Sequence, residues 1–131
     1  GFNVSKENIA TATKAQLAMV RLTKEFSLIK SVSATTNGPD SITYIRLNDA
    51  GASTSSMTAA YDDTNKEIEI DNDVLVDNVS SFELKYLDTY DGAESDAWKS
   101  STKIIKFTLV MTGVDNITST FSTKVLPRNM E

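Results

Sequence analysis

Ala12, Ala15, Met19, Leu22, Phe26 and Ile29 follow one another at alternating intervals of three and four residues. That spacing tracks the 3.6-residue turn of an α-helix and is incompatible with a strand, whose faces alternate every second residue. It therefore fixes the N-terminal part of the chain as helix, predicted over about residues 5–33 and ending before the Asn37-Gly38-Pro39 punctuation. Such a helix is more than twice the length usual in globular domains, about 11–12 residues, so its length calls for a use. Ala10, Leu17, Val20 and Leu28 lie off the main seam and make a second, weaker apolar side. Two readings follow: a sheet wraps broadly around the helix, or one side packs on the domain and the other on a neighbouring helix.

Beyond the turn the period changes from helical to two-residue. Segment 41–48 is rich in β-branched and aromatic residues, and 56–71 reads as a hairpin around the polar residues Asp62 to Lys66. Residues 74–79 and 81–90 follow as strands; in the second, Phe82, Leu84 and Tyr86 alternate with Glu83 and Lys85, the pattern of one buried and one wet face. A polar loop over 91–101 holds the only tryptophan, Trp98, and 102–111 with 116–126 form a closing hairpin. Short turns between consecutive strands imply antiparallel pairing. The expected fold class is α+β: a single domain over 1–131, with a long N-terminal helix packed on antiparallel β-sheet within 41–127.

The excess of 18 acidic over 13 basic residues, net −5, opposes a phosphate backbone, so nucleic acid is not an expected partner. Without cysteine or histidine the chain has no thiol nucleophile, no usual zinc ligand set and no Ser-His or Cys-His pair. Two Ser-x-x-Lys matches, Ser27 to Lys30 and Ser100 to Lys103, lack the Ser-Asp-Asn and Lys-Thr-Gly partners of a serine acyl-transfer site. No enzymatic activity and no small-molecule substrate are therefore expected. Asn3, Asn78 and Asn116 open glycosylation sequons, which carry meaning only in a glycosylating secretory pathway.

Acidic residues gather in three loops. Asp62 with Asp63 and Asp71 with Asp73 offer carboxylate pairs, but few aromatics stand by to line a sugar groove. Asp88, Asp91, Glu94 and Asp96 surround a glycine and supply the hard oxygen ligands of a calcium site, without EF-hand spacing. Calcium is the one cofactor with any support. Trp98, Tyr86 and Tyr90 beside that loop allow an alternative, a surface-exposed carbohydrate- or protein-binding adhesin module.

Three segments, taken in order, carry a resemblance. Gln16, Arg21, Leu22, Glu25 and Phe26 in the helix, residues 75–88 ("LVDNVSSFELKYLD") and residues 121–129 ("FSTKVLPRN") resemble the minor pilins and pseudopilins of type IV pilus and type II secretion machines, closest to the J-type pseudopilins and W-type minor pilins. The resemblance implies a structural subunit that assembles with other minor subunits at a filament tip. It also implies a native form anchored in the bacterial inner membrane by an apolar helix preceding this segment, with the head in the periplasm and, in a pilus, at the cell surface. Gly1-Phe2 imitates the prepilin cleavage junction, but a polar stretch follows and Lys6 stands where the family's glutamate belongs, so this junction reads as a truncation edge. On this reading Leu17, Val20, Arg21, Lys24 and Leu28 form the interface to sibling subunits, with charges flanking the apolar stripe to set register.

Overall fold

The computed structural model describes residues 2–128, with side chains described over 11–34 and 36–128. One α-helix, α1 (Phe2–Ser27), is followed by eight strands: β1 (Ile29–Asn37), β2 (Ser41–Arg46), β3 (Met57–Asp62), β4 (Glu67–Ile70), β5 (Asp73–Val76), β6 (Val79–Leu87), β7 (Ile104–Thr112) and β8 (Thr118–Val125). They form two antiparallel sheets, five strands in the order β1-β2-β3-β4-β5 and three in the order β6-β7-β8.

This overturns the expected α+β class. The molecule is mostly β, and it is not a long helix packed on a sheet. The helix stops at Ser27, where the Ser27 hydroxyl donates to the Lys24 carbonyl, and residues 29–37 leave it to become the edge strand of the larger sheet. Ile29 kept the three-four rhythm by coincidence: it is fully buried as the first residue of β1, paired with Arg46. Val32 and Thr36 are β-branched and favour the pleated backbone they occupy. The Asn37-Gly38-Pro39-Asp40 cluster therefore turns one strand into the next, closed by the Gly38 amide donating to the Ser41 carbonyl.

The later strands fall near their sequence signals. Asp71 and Asn72 both have positive φ, 52° and 69°, the conformation that joins β4 to β5 in a two-residue hairpin. Asp115 and Asn116 do the same service between β7 and β8, at 57° and 60°. The core is one cluster: Ala15, Ala18, Leu22 and Phe26 of α1 meet Ile42, Tyr44, Ala59 and Ile68 of the larger sheet and Leu84, Phe107, Leu109 and Met111 of the smaller. Phe26 sits at its centre, edge-on to Tyr44 at 6.1 Å and to Phe107 at 5.5 Å between ring centroids.

Candidate assembly surface

The seam residues Ala15, Leu22 and Phe26, with Ala18 beside them, face inward, so helical geometry sends Leu17, Val20, Arg21 and Lys24 outward. Leu17 is 61% and Val20 67% exposed, although each is large and apolar. Beside them runs a groove of about 400 Å³ between α1 and β5, floored by Leu17 and Ala18 on the helix and Val74 and Leu75 on the strand. Val74 is itself 52% exposed. Lys14 Nζ spans the groove to Asp77 Oδ1 at 3.0 Å. Arg21 lines this groove and also a second cleft of about 260 Å³, shared with Lys24, Leu28, Arg46 and Asp49. Leu28, expected on the outward stripe, is half-buried in that second cleft because the chain has already left the helix.

The surface has a rigid support. Glu25 Oε2 accepts hydrogen bonds from the Tyr44 hydroxyl at 2.5 Å and from Arg46 Nε at 2.9 Å, while Arg46 Nη1 donates to the Leu47 carbonyl. The Glu25 and Arg46 side chains are only 13% and 21% exposed, so the pair interacts in a medium much less polar than water. Burial, reinforced by the hydrogen bond to Glu25, drives the Tyr44 hydroxyl far above its ordinary range and keeps it a donor. The C-terminal end of α1 is thereby tied to β2.

The calcium candidates are not gathered. Asp96 pairs with Lys85, Glu94 Oε2 accepts from Lys106 at 2.7 Å, and Asp88 Oδ1 accepts from Ser101 at 3.0 Å. The hydrogen bond from Lys106 holds the Glu94 carboxyl below its usual range, and no three carboxylates of this loop converge among the described residues. The acidic group that does converge is Asp62, Glu67 and Glu69 at the β3–β4 hairpin, with oxygens within 4.8 Å of one another. Asp62 already accepts from the Asn65 amide, the Asn65 side chain and the Thr64 amide, which hold its carboxyl low. Partial desolvation, with the neighbouring charges of Asp62 and Glu67, pushes Glu69 upward. These three are the residues with the oxygen chemistry to hold a hard cation.

The aromatic trio does not form one open surface. Tyr86 is buried, its hydroxyl donating to the Gly38 carbonyl, and packs edge-on against Trp98 at 6.0 Å. Trp98 is half-buried, so Tyr90, 63% exposed with Lys124 Nζ 4.3 Å from its ring centroid, is the open member.

Sequence reasoning had no access to Val74 and Asp77 as the far wall of the groove, because nothing local announces that β5 ends the larger sheet beside the helix. The hairpin around Asp62 to Lys66 was legible, but the convergence of Asp62 with Glu67 and Glu69 depends on the Asp62–Glu67 register. No protein-family model, curated protein or solved structure matches this chain. No described helix is long and apolar enough to cross a membrane.

Proposed function

We propose that this chain is a structural subunit working by assembly, a minor pilin or pseudopilin of a type IV pilus or type II secretion system, with the outward side of α1 as its contact to sibling subunits. One observation carries the reading: Leu17 and Val20 stand more than half exposed on a stretch of α1 whose opposite side, Ala15, Ala18, Leu22 and Phe26, is buried in the core. Val74 and the flanking cations Lys14 and Arg21 extend that patch into a groove. An apolar strip edged by charge suits a partner helix, where burial supplies affinity and ion pairs select register. Filament packing needs a supported helix and no reactive group. The pilin identity itself rests on the three resembling segments and on no match to a known protein.

The test is the N-terminal sequence of the native protein. The reading requires an apolar segment of about 20 residues ahead of Gly1, the length that spans a bilayer, behind a short basic leader. A native chain starting near Gly1, or preceded by an unrelated globular domain, contradicts it.

A further inference from the structure

Four strands end the two sheets, and three of them are blunted. β1 breaks register twice against β2, and β5 has four residues and a bulge. β6 is bulged and covered, since its Leu84 amide donates to the Pro39 carbonyl and Tyr86 exchanges both backbone hydrogen bonds with Ser95. Short length, bulges and covering segments are how sheet proteins protect their edges. β8, although α1 packs against it, is neither short nor bulged: eight consecutive residue pairs with β7 run without a shift, and no described group hydrogen-bonds to its outer side. It contains no proline or glycine and a single charge, Lys124. That charge is drawn off the edge, because Lys124 Nζ donates to the Tyr90 carbonyl at 2.6 Å and lies over the Tyr90 ring.

We propose that β8 is a self-association edge, pairing antiparallel with β8 of a second copy so that the two three-stranded sheets become continuous. The occupant follows from the side chains. Residues 118–123 carry no charge to select a foreign sequence, and a two-fold axis at Phe121 sets like against like: Phe121 opposite Phe121, Ser119 opposite Thr123, Thr120 opposite Ser122. Phe121 is half-buried on the core side, opposite Leu109 of β7, and its remaining exposed edge is covered by the partner ring. Thr120 and Ser122 lie exposed on the other face. This edge is separate from the outward side of α1, and the inference stands without the filament reading.

Light scattering after size exclusion, over a dilution series of the purified 131-residue chain, tests it. The wild type passes from monomer to dimer with rising concentration. T120K/S122K, which sets lysine against lysine in this register, is monomeric throughout, and T120K/S122E, which sets lysine against glutamate, restores the dimer; L17E/V20E dimerises like the wild type. A wild type monomeric up to about 1 mM, the weakest affinity worth the name, overturns the proposal, as does a dimer indifferent to T120K/S122K or lost equally in both double variants. Hydrogen exchange on the wild type needs no variant: alternate amides of β8 slow at dimer concentrations, and unchanged exchange there overturns the proposal too.

Discussion

Leu22 and Phe26 occupy the same helix as Leu17 and Val20, yet the first two are fully buried and the second two face solvent. The inward pair meets both sheets, and Phe26 alone touches aromatic rings from each. Of the outward pair, Leu17 lines a groove beside β5 and Val20 stands 67% exposed. Similar residues on one helix thus sit in two environments. Burial of the inner side supplies folding free energy, which the exposed outer side cannot match.

The comparison breaks most sharply at Phe26. Phe26→Ala opens a cavity between the sheets and costs about 3–5 kcal/mol, read as a lower denaturant midpoint; an unchanged midpoint would mean that the two sides are reversed. Next comes the tie between helix and sheet. Arg46→Ala leaves Glu25 poorly compensated in a largely buried position and costs about 3 kcal/mol, and restoring much of that loss by adding Glu25→Leu would show that the penalty is the stranded charge.

On the outer side, Leu17→Ser and Val20→Ser shift stability by no more than about 0.5 kcal/mol while removing the apolar strip, so chemical denaturation should not distinguish them from wild type. A loss as large as that of Phe26→Ala would put these residues in the core. The smallest effect lies outside both sides, at the β3–β4 hairpin, and calibrates what an exposed charge is worth. Glu69 titrates above its ordinary 4.5, so the fold disfavours its ionised form at neutral pH. Glu69→Gln should raise the melting temperature slightly at pH 7, and the gain should vanish as pH falls below 4.5 and the native carboxyl protonates in both states. A gain that persists in acid would trace to something other than charge.

Much of this was legible in the residues. The three-four spacing of Ala15, Leu22 and Phe26 located the inward side of α1, and the two-residue alternation of Phe82, Leu84 and Tyr86 located a strand with one buried face. The helix end was not legible, because Ile29 satisfied two periods at once and neither glycine nor proline marks residues 27–29. With residues 29–33 moved from helix into β1, the balance of the fold shifts from helix on sheet to two sheets. The site split the same way. Leu17, Val20, Arg21 and Lys24 could be read as outward from helical geometry alone, whereas Leu28 could not, since its orientation depended on where the helix stopped. The groove wall at Val74 and Asp77 comes from strand order, a long-range property that local pattern does not encode.

The absence of cysteine allows a direct test of the outer side of α1. A single Val20→Cys substitution in the native full-length gene, expressed in its own host and treated with a short bifunctional thiol-to-amine crosslinker, should join this chain to another filament subunit, one that itself begins with an apolar helix. The same cysteine placed at Asn65, exposed on the β3–β4 hairpin, should give no such product at equal labelling. Crosslinking at Asn65 and none at Val20 would contradict assembly through this side of the helix.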